Sequence, residues 1–502
     1  MKRNLDLHPD KVAYICGDYS ITYRELDSAS CHFACLLQSL EIAPGDRVVL
    51  ALSDCIAFPV AILGCLLSGA VAVMAGAALM DEDMACIIED SGARLLVCHA
   101  ELATLRSAGC SGFKVLVCDD HGPIEHFAFP DTLKAFKTSY HPTLFDFAFM
   151  LYSSGSTGKL KGVPHRHASL LLPCKLMGKS VLGITGNDII FSTSKLSFGY
   201  GLVNSLSFPL HFGATAILHP GKPDVRTIFN IVWKHKPSVF FSVPTIYTQM
   251  LLFCQAAELK LPMRLCCSAG EALPAMLFEE WQRLTGLEII DGMGASEFSH
   301  HFICNVPGQA VAGSTGRLVQ GYLVRLVDDN GNDVPSGSEG HLLVSGGTRS
   351  PCYWNLPEKS SKTMLSDGFT RTGDILLEKD GYYYYRGRSD DMIKVAAQWV
   401  SPVMVEDALR SHPAVADCAV AAVMVGALVR PGAFVVLSSG VKQTPDLVKE
   451  LKRHVRSRLP DYMCPACFRF PDELPRTTTG KLQRFRLREH LHHADQPDVH
   501  SE

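Results

Sequence analysis

At 502 residues the chain is long enough for more than one domain and a sizeable core. With 47% hydrophobic and 20% charged residues, its composition is that of an ordinary globular protein. The formal net charge of −4 offers no basic face, so no nucleic-acid partner is expected.

The opening "MKRNLDLHPDK" is charged and has no apolar run, so no secretory signal is visible. Apolar spacing in "ITYRELDSASCHFACLLQSL" predicts a helix, and "DRVVLAL" at 46–52 a strand. From Cys55 to Met80 no residue is charged, long enough to suggest a membrane span. Pro59 and the Ser68–Ala70 break divide it, so a buried helix at 57–67 and a buried strand at 70–75 are expected instead. Further strands are read at 94–100 and 114–120, and one at 145–155 runs into "YSSGSTGKLKG" at 152–162. Strands alternating with helices predict an α/β domain with parallel sheet, and ligands then bind beyond the strands' carboxyl ends.

Later segments change texture. "GHLLVSGG" at 340–347 and "GYYYYRGR" at 381–388 read as antiparallel strands. A boundary falls at 389–391, giving a large domain over 1–389 and a small α+β domain over 390–502. In the small unit a helix at 401–412 precedes strands at 417–425 and 432–439 and a charged helix at 445–459. The 18 cysteines form no regular framework, which predicts reduced thiols and a cytoplasmic setting. Cys464 and Cys467 make a C-x-x-C without a second pair at zinc spacing, and are read as incidental. The His-rich tail "HLHHADQPDVH" reads as a solvated terminus.

The Gly-rich loop departs from the Walker pattern, because no Ser or Thr follows Lys159 or Lys161. Its chemistry still suits a phosphate. Glycines let backbone N–H groups approach, hydroxyls add donors, and lysines add charge. A flexible linker is the plainer alternative. Five more stretches follow in order: "SAGEALP" at 268–274, "DGMGASE" at 291–297, "TGD" at 372–374, "GRSDDMIKV" at 387–395 and "PRTTTGKLQRF" at 475–485. Together the six resemble the adenylate-forming superfamily of acyl- and aryl-CoA synthetases, luciferases and carrier-protein adenylation domains. "KLSFGYGLVNSLSFPLHFGATAIL" at 195–218 and "GASEFSHHFICN" at 294–305 are similar to benzoate-CoA ligase and its aryl-CoA relatives.

The resemblance implies a large N-terminal adenylating domain with mixed and parallel sheets and a small mobile C-terminal lid. It implies an acid-CoA ligase that converts a carboxylate and ATP to acyl-AMP, then attaches coenzyme A. Ser153, Ser154, Gly155, Ser156, Thr157, Gly158 and Lys161 would cradle phosphates. Lys481 would reach the carboxylate and α-phosphate, and Glu297 would hold Mg²⁺. Ser296 would assist at phosphate, Asp374 would accept the ribose hydroxyls, and Arg388 would support either group. Gly270, Glu271 and Ala272 would wall the adenine, with Tyr385 opposite and Asp291, Gly292 and Met293 alongside. An aromatic acid would sit by Phe198, Tyr200 and His300, with Ala269, Gly292 and Gly294 giving space. Asp390 would be the hinge, and Ala397 stands in the CoA channel where the family usually has glycine.

Other departures are milder: Leu160 before Lys161, Cys352 before "YW", "DGF" at 367–369, and a short, acid-poor "VMVGALVRPGAF". The small-molecule acid, ATP and CoA are the expected partners, and a homodimer is expected by resemblance alone. Two alternatives stay open. One is an adenylating enzyme that loads a carrier protein or stops at acyl-AMP. The other is a catalytically idle nucleotide-binding homologue.

Overall fold

The computed structural model describes residues 2–100, 114–118, 140–154, 160–254, 260–395, 398–425, 428–476, 482–484, 486 and 487. Its first long helix, Tyr23–Ser39, starts from a capping box. Glu25 N–H donates to Thr22 Oγ1 at 3.3 Å, and Thr22 N–H donates to Glu25 Oε2 at 2.8 Å. Leu26, Phe33 and Leu37 fall on one face and are fully buried against the next helix, Ala57–Ser68.

That second helix has 12 residues and is buried on nearly every side, ending at Gly69 in left-handed conformation. Twelve residues span about 18 Å, well short of the ~30 Å hydrocarbon core. The buried strand Val71–Gly76 follows it. The uncharged stretch is therefore core, as expected, and no described helix is long and apolar enough to cross a membrane.

Two large sheets make the body. The six-stranded sheet runs in the order Lys114–Cys118, Leu95–His99, Arg47–Leu52, Val71–Gly76, Phe147–Ser154, Leu160–Arg166. It is parallel except for its last pair, where the strand entering the Gly-rich loop returns antiparallel, with Ser153 opposite Lys161. The nine-stranded sheet has a parallel centre of Ile289–Gly294, Leu265–Ser268, Val239–Ser242, Ile189–Ser192, Thr215–Leu218 and Val12–Cys16. Antiparallel strands Tyr19–Thr22 and His301–Cys304 flank it, with Arg317–Leu318 beyond. Chain order reverses direction across the sheet at Ile189–Ser192, a switch point of the kind that opens a crevice in α/β sheets.

A four-stranded antiparallel sheet follows, from Tyr322–Val327 through Glu339–Gly346 and Thr370–Lys379 to Tyr382–Arg388. After a short 3₁₀ turn at Ser389–Asp391 comes the smaller α+β unit. It contains helices Pro402–Arg410 and Pro445–Arg456 and strands Val415–Val425, Leu428–Leu437 and Cys467–Arg469. It has its own core around Val405, Leu409, Val435 and Leu451. The second long strand begins at Leu428, earlier than the sequence suggested, and pairs antiparallel with the first from Val425 back to Val415.

One ion pair ties three neighbouring strands of the nine-stranded sheet at their starts. Asp188 accepts from Arg264 Nε at 2.9 Å and Nη2 at 2.9 Å, from Ser238 Oγ at 2.7 Å and from Thr185 N–H at 2.8 Å. Burial pushes its carboxyl up, but Arg264 and these donors outweigh that and hold it below the usual range. Its contribution is therefore present at neutral pH and is lost as pH falls through that lowered value. Arg264→Ala should cost about 2–3 kcal/mol, less than a fully buried pair because the guanidinium is partly exposed. Urea unfolding followed by Trp fluorescence checks this, and Arg264→Lys should fall between the two.

Candidate active site

The strands Val239–Ser242, Leu265–Ser268 and Ile289–Gly294 are parallel neighbours, so their carboxyl ends lie side by side. "SAGEALP" leaves the second of these ends and "DGMGASE" the third. Gly270 turns the first loop with a φ of +90°, a conformation that favours glycine. Two motifs far apart in sequence are thereby placed together at the mouth of the sheet.

Three sheets converge on Glu297. Lys161, from the hairpin of the six-stranded sheet, donates from Nζ to Glu297 Oε1 at 2.9 Å and to the Tyr353 hydroxyl at 2.9 Å. Tyr353, from the loop after the four-stranded sheet's Glu339–Gly346, donates to the same Glu297 oxygen at 2.5 Å. Glu297 sits in the 3₁₀ turn Ser296–Phe298 that follows the nine-stranded sheet. The backbone around it is held as well: Ser350 N–H donates to Glu297 O at 2.7 Å and His165 Nε2 to Ser296 O at 2.7 Å. Glu297 is 8% exposed. Burial pushes its carboxyl up, but Lys161 and Tyr353 together outweigh that and hold it below the usual value.

An ionised carboxylate suits a hard cation. No cluster of three or more ligating side chains occurs among the described residues. Mg²⁺ takes one or two carboxylates and fills its remaining positions with water and phosphate oxygens. When bound through Glu297, Mg²⁺ would neutralise charge on a polyphosphate.

A second pair stands on adjacent antiparallel strands, where Asp374 is in register with Arg388. Arg388 Nη1 donates to Asp374 Oδ1 at 3.1 Å and to Thr372 O at 2.8 Å. Burial, and next Asp374, push the Tyr385 hydroxyl far up, so it stays protonated. Glu271 accepts from Thr245 Oγ1 at 2.9 Å and from Arg476 Nη1 at 3.2 Å. Arg476 belongs to "PRTTTGKLQRF" and also donates to Asp417 of the smaller unit at 2.7 Å, so the C-terminal motif reaches the "SAGEALP" loop.

A few residues past Glu297 the environment becomes neutral. Tyr200 stacks on His301 with centroids 5.2 Å apart and lies 5.5 Å from His300, with Phe241 edge-on at 5.9 Å. His300 Nε2 donates to Asn204 Oδ1 at 3.1 Å. Asn204 is presented by a π-helical turn, Val203–Ser207, inserted between two short α-helices, a distortion common at functional sites. Burial, with His301 next, pushes the His300 ring well down, and burial takes His301 to about 3, so both imidazoles are neutral. Asp291, near the Tyr200 hydroxyl and Ser268, is buried, and burial pushes its carboxyl well up.

Among the expected site residues, Lys161 pairs with Glu297, Arg388 with Asp374 beside Tyr385, Arg476 with Glu271, and Tyr200 lies against His300. Gly292 and Gly294 make room for protein instead of ligand. A Cβ at Gly292 would lie 2.5 Å from the His301 ring, and one at Gly294 would lie 2.5 Å from the His300 carbonyl oxygen. Phe198 precedes helix Gly199–Leu202 and is 37% exposed, outside the ring stack. Asp390 sits in the turn between the four-stranded sheet and the smaller unit. Ser153 has a buried hydroxyl without a partner. The Ser154 side chain, Gly155, Ser156, Thr157, Gly158, Ala397 and Lys481 lie outside the described residues. Sequence reasoning gave no role to Tyr353, Asn204, His301 or Arg476. Tyr353 stood in a noticed "YW", and His301 in a visible "HH".

The chain is a two-domain α/β protein in which a buried ionic cluster at Glu297 is followed in sequence by a neutral cluster of aromatic rings. A family model described as AMP-binding enzyme matches residues 1–354, and one described as AMP-binding enzyme C-terminal domain matches 404–481. The chain belongs to the AMP-binding enzyme family. It is 39% identical over 495 residues to the benzoate--CoA ligase of Thauera aromatica, covering 95% of this chain and 92% of that one. The crystal structure of a benzoate CoA ligase from Burkholderia xenovorans LB400 superposes with a TM-score of 0.90 at 39% identity, covering 97% and 98% of the two chains. The anthranilate CoA ligase AuaEII in complex with anthranoyl-AMP gives 0.89 at 34% identity, covering 98% and 96%.

Lys161 and Tyr353 both lower the Glu297 carboxyl. Tyr353→Phe should therefore raise it, moving the acid limb of the kcat/KM–pH profile to higher pH. Lys161→Met should move the limb further, because Lys161 is the larger influence. An unmoved limb in both variants would sink this account of the cluster.

Proposed function

We propose that the protein is an ATP-dependent carboxylate-CoA ligase, AMP-forming, acting on an aromatic acid through an acyl-adenylate. The turn Ser296–Ser299 carries the reading: Glu297 stands at its ionic end, and the neutral rings of His300 and His301 follow directly. A benzoate has the same two halves, a charged carboxylate and an apolar ring. The extensive likeness to benzoate-CoA ligases supports the same substrate class.

A free carboxylate is a poor electrophile, and adenylation gives it AMP as leaving group. The first step gathers negative charge near the α-phosphate, so positioning and charge neutralisation dominate catalysis. In this reading the 153–161 loop, with Thr157 and Lys161, cradles the phosphates while Lys481 bridges carboxylate and α-phosphate. Asp374 accepts the ribose hydroxyls, held by Arg388, and Gly270, Glu271 and Ala272 wall the adenine against Tyr385. The domains divide at 389/390, and rotation about Asp390 withdraws Lys481 so that pantetheine enters past Ala397. Coenzyme A is the acceptor in preference to a carrier protein. A homodimer in a reducing cytoplasm completes the reading, supported there by the free thiols of the described cysteines.

The test is pyrophosphate release from ATP and Mg²⁺ with benzoates and with short fatty acids, with and without CoA, followed by mass spectrometry. Aryl-CoA is the expected product. Acyl-AMP without thioester would reject CoA as acceptor, and no release with any acid would reject the reading. Lys481→Ala should slow pyrophosphate release by about 10²–10³-fold or more, the scale of losing one transition-state charge contact. It should spare thioester formation from supplied aryl-AMP.

A further inference from the structure

His301 is 3% exposed, and neither of its ring nitrogens has a hydrogen-bond partner. An unpartnered buried polar group costs about 1–3 kcal/mol, so an apolar side chain would be the cheaper filler. The ring is also firmly placed. It packs on the bare backbone of Gly292, where any Cβ would collide with it, and stacks against Tyr200 on its other contact.

The neighbours share the same condition. The Tyr200 hydroxyl, Asn204 Nδ2 and His300 Nδ1 are buried without partners. The Asn204 amide lies near the Tyr200 hydroxyl but is not aligned to it. Ser268 lies beside Asp291, also without a well-aligned bond, leaving its own hydroxyl and Asp291 Oδ1 unsatisfied. Polar atoms gathered around one aromatic ring, on side chains that are otherwise buried, describe a surface shaped for a polar ring and not for a plain hydrocarbon one.

We propose that His301 is a specificity-determining residue that hydrogen-bonds a ring hydroxyl or amino group, making hydroxy- or aminobenzoates the preferred acids over benzoate. A neutral imidazole offers one N–H donor and one lone pair, so it serves either substituent. No cationic side chain stacks with or packs on the His301 ring among the described contacts, so a second carboxylate on the ring finds nothing to pair with there. A site built to hydrogen-bond a substituent discriminates strongly against the analogue lacking it, because its own polar atoms are then left unpaired. The inference rests on the aromatic-acid reading above and names its substrate class.

The experiment measures kcat/KM of the full chain for benzoate, the three hydroxybenzoates, the three aminobenzoates and the three phthalates. At least one hydroxy- or aminobenzoate should exceed benzoate by about tenfold or more, and the phthalates should be poor. His301→Leu should lower that preference about tenfold or more, and His301→Gln, which keeps a donor and an acceptor, should retain more of it. If the Leu variant fails to fold by circular dichroism, the wild-type ranking and His301→Gln decide. Benzoate preferred by the wild type, or a Leu variant with undiminished discrimination, overturns the role of His301 and leaves the ligase reading standing. Failure with every aromatic acid overturns both.

Discussion

The site depends on a buried carboxylate that must stay charged. Removing Glu297 from water is costly unless it is paired and hydrogen-bonded, and Lys161 and Tyr353 supply both. The three residues come from three sheets, so satisfying one charge fixes the mutual placement of all three. The loop bearing Tyr353 is stitched to the hairpin bearing Lys161 by further bonds. Ser350 Oγ donates to Pro164 O at 2.7 Å and Trp354 N–H to Gly162 O at 2.8 Å. Take away Lys161 or Tyr353, and a partly unpaired charge sits at the junction of the large domain.

From that charge the chain passes to a neutral pocket within four residues. Phe298 anchors the turn by inserting fully into the core. Ser299 then adopts a φ of 61°, uncommon for a residue other than glycine. Strain of this kind survives only where the surroundings over-determine it, and it clusters at functional sites. His300 and His301 follow Ser299 directly in the chain. The result is a short electrostatic gradient, charged at one end and neutral at the other. A benzoate has the same two halves along its own axis, which is the match the proposed function relies on.

The parts legible from sequence were those carried by local pattern. The helix in "ITYRELDSASCHFACLLQSL", the Pro59-interrupted apolar run and the strand feeding the Gly-rich loop all follow from neighbouring residues, and the structure has each of them. The charged residues Glu297, Lys161, Asp374 and Arg388 were legible because their motifs carry them. Tyr353 and Arg476 were not, because their significance lies in partners about 56 and 205 positions away. Asn204 needed a π turn that no apolar period announces. Gly292 and Gly294 were read as room for substrate, but a glycine only reveals that something comes close. Here it is the His301 ring and the His300 carbonyl, which only the strand pairing discloses.

The lid's attachment has a physical logic of its own. Arg476 grips Asp417 within the smaller unit and Glu271 on the larger one, so it is shared across the divide. Arg484 is committed differently, with Nη2 donating to both Glu406 oxygens at 2.6 and 2.7 Å inside the smaller unit. A rotation that withdraws the C-terminal motif must give up the Glu271 contact and can keep those to Asp417 and Glu406. The Arg476–Glu271 side chains are about a quarter and a fifth exposed, so losing that pair costs on the order of 1 kcal/mol once water replaces it. Burial pushes the Glu271 carboxyl up, with Arg476 the largest influence opposing it. A contact that weak positions the motif without locking it, which suits the rotation proposed for the smaller unit.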